Sequence, residues 1–273
     1  MTLKIRNRII KIFAVFSALC LVGVVTAITV KSFDGTLAKT LGSPLFSLKD
    51  FSFFKPNEKA VLYSLIFLQV FIPITAFFML FSFEKTQSTL IILFIVVLFG
   101  FQFEISRFII GVYDLKRTFS QFYLLLGKYS LLGRLLCLFS FFYIALESKD
   151  TQKLNIEMDL TAIFTVSIFV TLCIPFNTSV STKTFGIELG FQNVVVALFA
   201  VVSLLTTLTF IFTYRETENK SILKILTSYL FTATGIHLIE CSDILCINSI
   251  GAVLLIIGTR LYMKALHKMY LWE

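Results

Sequence analysis

The sequence predicts an all-α fold, a bundle of seven or eight transmembrane helices without a soluble domain. Of its 273 residues, 57% are hydrophobic and 15% are charged, whereas soluble domains are about 45–50% apolar and about 25% charged. The apolar runs are interrupted by only four prolines and twelve glycines, and they reach the roughly 20 residues that a membrane-spanning helix needs. A β-barrel would instead alternate apolar and polar residues over segments of about ten.

Eight segments have the length and composition of a span. They are 9–30, 60–83, 89–113, 122–146, 160–175, 193–214, 222–239 and 245–263. The fourth carries Lys128 and Arg134, and the seventh is the most polar, with Lys224 and His237. We therefore expect residues 1–273 to form a single integral membrane domain.

The first segment, residues 1–30, has two interpretations. It is either the first transmembrane helix or a signal sequence, because basic residues precede an apolar stretch that ends in the small-residue motif Val25-Thr26-Ala27. The run stays apolar to Val30, which favours an uncleaved helix. Both interpretations place residues 31–59 in an extracytoplasmic loop, which is too short for a core of its own.

The distribution of basic residues predicts the orientation. With the N-terminus inside, thirteen Lys and Arg residues lie on the cytoplasmic side and nine on the outer side. Cytoplasmic loops retain Lys and Arg, so we expect a plasma (inner) membrane protein with a cytoplasmic C-terminus. The same rule accounts for the net charge of +8. No basic cluster with interleaved aromatic residues indicates nucleic acid, so the lipid bilayer is the predicted partner.

Ionisable residues in the third and fourth spans form the first candidate site. A charged group costs about 2.5–3.5 kcal/mol at the centre of a membrane helix, so such groups usually face the bundle and pair. Glu104 and Arg107 are three residues apart and share a helix face. At about 1.5 Å per residue, Glu104 lies about 22 Å from Thr89, and Arg134 falls in the same outer half.

These three residues predict a ligand site or a brace. One carboxylate and two guanidiniums sum to a formal charge of +1, which suits an anionic ligand because Arg presents a planar fork to carboxylate or phosphate. In the structural alternative, Arg107 extends to the outer head groups and Glu104 joins two helices through Arg134. Both interpretations stay open.

A second polar cluster lies at the end of the seventh span. It contains His237, Glu240 and Asp243, with Cys241 and Cys246 beside them. A plain polar turn, a disulfide in an oxidising compartment and a metal site are the alternatives. Zinc takes three or four ligands in tetrahedral reach, and one His with Cys-x4-Cys spacing does not provide a known set, so we expect no metal.

The sequence holds no motif for catalysis or for a cofactor. It contains neither G-x-S-x-G nor H-E-x-x-H, and neither a P-loop nor a dinucleotide-binding glycine pattern. The favoured function is transport or ligand handling through an outer-half polar pocket, and a faint similarity between residues 80–90 and 210–223 is consistent with the parallel repeats of some transporters. Two alternatives stay open: a seven-helix receptor or sensor acting through a separate signalling partner, and a structural subunit of a membrane complex.

Overall fold

Eight helical stretches cross from one side of the bundle to the other. The computed structural model describes residues 3–37, 45, 53–86, 88–115, 121–148 and 156–270, with only the backbone at 179–181. Within these ranges, eight stretches are long and apolar enough to span a membrane, which confirms the all-α transmembrane bundle. The uncleaved first helix stays a prediction, with removal of residues 1–27 as its alternative.

The described elements follow the predicted spans closely. They are α1 Leu3–Phe33, α2 Glu58–Ser82, α3 Thr89–Gln102, α4 Ile105–Val112, α5 Gln121–Glu147, α6 Ile156–Cys173, β1 Phe176–Ser181, β2 Ile187–Leu189, α7 Gln192–Thr217, α8 Lys220–Cys241 and α9 Leu245–Tyr270. The predicted loop 31–59 is shortened at both ends, because 31–33 continue α1 and α2 begins at Glu58. Most of the remaining loop lies outside the described residues.

Contacts at the helix ends define two sides of the bundle. On the side that holds both termini, Arg6 of α1 donates to the carbonyl oxygen of Phe83, just after α2, over 2.5 Å. On the opposite side, the amide of Asn57 donates to the carbonyl oxygen of Asp243, between α8 and α9, over 2.9 Å. We call these the terminal side and the hairpin side, the latter after the strand pair β1–β2.

The third span is broken, where the sequence predicted one continuous helix from 89 to 113. Helix α3 ends at Gln102 and α4 begins at Ile105. At the break, the amide of Glu104 donates to the carbonyl of Phe101, and the amide of Arg107 donates to the carbonyl of Glu104. These i→i+3 bonds form a tight 3₁₀-type turn, in which side chains three residues apart eclipse one another.

The antiparallel hairpin β1–β2 follows α6 and was not predicted. Phe176 pairs with Leu189 and Asn177 with Glu188. The hairpin docks on the bundle through Phe185 and Ile187, both buried. Glycines make room for them: a Cβ atom at Gly111 of α4 would lie 2.9 Å from the Phe185 ring, and one at Gly127 of α5 would lie 2.6 Å from Ile187.

Glycine pairs also bring the site-bearing helices into backbone contact. A Cβ atom on Gly133 of α5 would lie 2.5 Å from the carbonyl oxygen of Gly100 on α3. Small residues at helix interfaces allow this close approach in membrane bundles. As a result, the residue after Gly133, which is Arg134, lies beside the break in the third span.

The spans differ in how deeply they are buried. Helix α3 lies in the middle of the bundle, and nearly all of its side chains are buried. Helices α6 and α7 lie at the periphery, with large apolar side chains such as Phe169 and Phe212 exposed. Lipid solvates such surfaces, so exposure of these side chains is consistent with a membrane location.

Candidate functional site: a buried arginine–glutamate network

The break in the third span places Glu104 at the centre of a polar network. Glu104 is 2% exposed, and its Oε2 atom lies 2.8 Å from Nη1 of Arg107. The 3₁₀-type turn brings these two side chains into register. The other carboxylate oxygen, Oε1, accepts from the Ser130 hydroxyl over 3.1 Å and lies 3.2 Å from Nε of Arg134. Glu104 therefore joins α5 to the broken span.

Arg107 is fully enclosed and connects three elements. Its side chain is 0% exposed. Besides Glu104, it donates to the Thr184 carbonyl in the hairpin turn, from Nε over 3.0 Å and from Nη2 over 2.6 Å. Nη2 also donates to the Glu240 carbonyl over 3.0 Å. This carbonyl belongs to the last turn of α8, where carbonyls lack a partner within the helix.

Arg134 lies on the open side of the network. Its Nε atom is 3.2 Å from Glu104 Oε1 and 3.4 Å from Glu240 Oε2, and the side chain is 26% exposed. Among the residues that the structure describes, none pairs with its two Nη groups. One edge of the guanidinium is therefore held by two carboxylates, while the other edge is available.

Glu240 joins the two clusters that the sequence analysis kept apart. Its carboxylate reaches Arg134 from α8, and its carbonyl accepts from Arg107. With two carboxylates and two guanidiniums, the formal charge of the network is zero, not the +1 that was predicted from Glu104, Arg107 and Arg134. The sequence could not place Glu240 here, since more than 100 residues separate it from its partners.

The other members of the second cluster lie outside the network. His237 is exposed on α8, and its ring nitrogen Nδ1 is 3.6 Å from Sγ of Cys241. Asp243 contributes its backbone carbonyl to the contact with Asn57. Cys241 and Cys246 are both free cysteines, so the disulfide alternative is not formed in this structure.

Sequence reasoning missed two participants, Ser130 and the Thr184 carbonyl. Ser130 lies four residues before Arg134, so the i,i+4 spacing on α5 was a usable signal. The Thr184 carbonyl had no signal, since any residue provides a backbone carbonyl. Two residues before Glu104, Gln102 forms a separate polar pair: its Nε2 atom donates to Oε1 of Gln69 over 2.7 Å, and both side chains are buried.

Among the described residues of the network, only Arg134 has donors available to an anion. Arg107 has its donors directed at protein acceptors, whereas Arg134 has two NH₂ groups in a planar fork that matches a carboxylate or phosphate.

Comparison of the chain with protein families, with curated proteins and with solved structures finds no match.

Proposed function

We propose that this protein binds a small anionic solute in an outer-half polar pocket and carries it across the membrane. The observation that carries the proposal is the half-paired guanidinium of Arg134, which is 26% exposed beside a buried network. Ionisable residues within spans usually mark a pathway or a ligand site. Arg134 is the anion-contacting residue in this proposal, and Arg107 holds the surrounding helices.

The contacts around Arg134 suit reversible anion binding. Its Nε atom is shared by Glu104 and Glu240, so the carboxylates orient the fork without occupying its Nη groups. A low-dielectric surrounding strengthens an ionic contact relative to water. The anion therefore meets a preoriented cation, which lowers the entropic cost of binding.

The same geometry provides a way to couple binding to movement. The Glu240 carboxylate makes one ion pair, at 3.4 Å, within the described part of the chain. An anion on Arg134 competes with this carboxylate for positive charge and loosens the contact between α5 and α8. Transporters commonly place such sites at interrupted helices, and the break between α3 and α4 supports the assignment.

Orientation and location belong to the same proposal. We infer that the hairpin side faces outward, that both termini are cytoplasmic and that the membrane is the plasma membrane. The support is the excess of Lys and Arg on the terminal side. Reporter fusions in the α7–α8 turn and at the C-terminus test the orientation, which is wrong if either reporter is external.

Uptake by reconstituted protein tests the function. We would measure uptake of radiolabelled lactate, glutamate and inorganic phosphate into proteoliposomes containing the full chain. Wild type is expected to take up at least one probe above protein-free vesicles. Arg134→Gln is expected to abolish that uptake, because it removes the cation while keeping a polar side chain.

Lys128→Gln is the matched control, because it removes one positive charge from the same helix outside the network. It should leave uptake unchanged. Size-exclusion profiles and thermal midpoints verify that each variant folds. Uptake of no probe by the wild type, or equal uptake by Arg134→Gln, would contradict the proposal and favour a structural brace.

A further inference from the structure

A second feature of the molecule is an apolar groove of about 520 Å³ on the hairpin-side half of the bundle. It lies between α1, α4 and the start of α5. The residues that define it here are Cys20, Gly23, Val24, Ile109, Tyr113 and Phe122. Its volume falls within the roughly 300–1,000 Å³ of ligand-binding pockets in proteins.

The groove is partly open, and it lies along the hairpin-side ends of α1, α4 and α5. Its lining is almost entirely apolar, and no residue of the Arg107–Arg134 network contributes to it. From Gly23 to Lys31, α1 rises by about 12 Å at about 1.5 Å per residue. A chain of CH₂ groups lying along α1 fits this length. Lipid tails are the apolar molecules that surround a membrane span at this depth.

The hairpin-side end of the groove carries a positive charge. The Nζ atom of Lys31 lies 4.9 Å from the centre of the Tyr113 ring, and Tyr113 lines the groove. Within the described residues, no carboxylate forms an ion pair with Lys31. Tyr and Lys at a span end lie at head-group level, where an ammonium group attracts anionic lipid.

We propose that this groove is a binding site for one anionic phospholipid, with an acyl chain between α1 and α4 and the net negative head group on Lys31. The apolar lining accounts for the tail, and the ammonium group of Lys31 accounts for the anionic head group. The site is separate from Arg134, so it does not rest on the proposed transport function.

Gly23 allows the groove to be filled without disturbing the protein. A Cβ atom added to Gly23 meets nothing within 4 Å, so a leucine side chain there enters the groove and occupies the place of the acyl chain. Val22, its neighbour on α1, is 58% exposed and does not line the groove. Val22→Leu is therefore the matched control for Gly23→Leu.

Native mass spectrometry of the purified full chain tests the proposal. The protein would be titrated in detergent with phosphatidylglycerol and, separately, with phosphatidylcholine. Wild type and Val22→Leu should retain one phosphatidylglycerol per chain. Gly23→Leu should weaken its binding about tenfold or more, and Lys31→Gln should reduce it to the level of phosphatidylcholine.

Equal retention by wild type and Gly23→Leu would overturn the assignment of the tail to this groove. Equal binding of both lipids by the wild type would overturn the role of Lys31. Thermal midpoints verify folding; if Gly23→Leu lowers the midpoint, Gly23→Val, with a smaller side chain, replaces it in the same titration. Because lipid retention is measured without any solute, a failure of anion uptake leaves this result unaffected.

Discussion

Arg107 and Arg134 share the same carboxylate, Glu104, but occupy opposite kinds of surroundings. Arg107 is 0% exposed and donates to acceptors in three segments, whereas Arg134 is 26% exposed and, among the described residues, pairs through Nε alone. The difference arises from position: Arg107 lies beneath the docked hairpin, and Arg134 lies on an unbroken helix facing α8. Residue type does not distinguish the two side chains. An arginine whose N–H donors all bond to protein acceptors is structural, whereas one with free N–H donors is available to a ligand.

The largest expected effect comes from Arg107→Gln. Removing one partner of a buried ion pair costs about 3–5 kcal/mol, because the other charge is left without compensation. The variant also frees the Thr184 and Glu240 carbonyls. We expect a marked fall in thermal midpoint and in membrane abundance, measured by thermal unfolding of the purified protein and by immunoblotting of membranes.

A double variant sharpens this prediction. Glu104→Gln combined with Arg107→Gln removes both charges, so the loss of stability should be smaller than the sum of the two single losses. If the shift in thermal midpoint of the double variant equalled the sum of the two single shifts, that result would contradict a direct coupling between these residues.

The next effect concerns the contact that places Arg134 beside Glu104. Gly133→Ala puts a Cβ atom 2.5 Å from the Gly100 carbonyl, so α3 and α5 must separate. Overpacking of this kind costs about 1–3 kcal/mol. Thermal unfolding measures the loss; Gly23→Ala, whose Cβ atom meets nothing within 4 Å, is the control and should not lower the midpoint.

Arg134→Gln should affect stability less than either of these changes. The cost should fall below the roughly 3–5 kcal/mol of a fully buried pair, because Arg134 is 26% exposed and Glu104 keeps its contacts with Arg107 and Ser130. We expect a midpoint close to wild type together with loss of anion uptake. A drop as large as that of Arg107→Gln would mean that both arginines are structural.

The smallest effect is expected for His237→Gln. The ring is exposed, and among the described residues its polar contact is with Cys241 on its own helix. Exposed substitutions of this kind change stability by less than about 0.5 kcal/mol. Thermal unfolding and anion uptake should both match the wild type, and a clear loss of uptake would place His237 in the pocket.

Much of the fold could be predicted because membrane insertion is decided by local sequence. Each span needs only about 20 consecutive apolar residues, so the eight segments could be read one at a time. The hairpin could not, since Phe185 and Ile187 are stabilised by glycines on α4 and α5 that lie far away in the chain. The break at Glu104 was also missed, because the sequence there has no proline.

The candidate site was predictable only in part. The pair Glu104 and Arg107 follows from its i,i+3 spacing, and Arg134 follows from the approximate depth of its helix. Glu240 was assigned to a different cluster, and the formal charge of the group was therefore wrong. The spacing of residues in the sequence predicts which side chains are neighbours on one helix. Contacts between helices depend on how each helix is rotated about its axis and packed against the others.

By itself, the sequence determined that this protein is a helical bundle of seven or eight spans and that charges lie within its third and fourth spans. Both are local properties, since hydrophobic length and helical spacing act over about 20 residues or fewer. The tertiary structure alone decided which arginine is enclosed and which is open. That outcome depends on where the hairpin and α8 dock, and docking is set by packing among segments 60 or more residues apart.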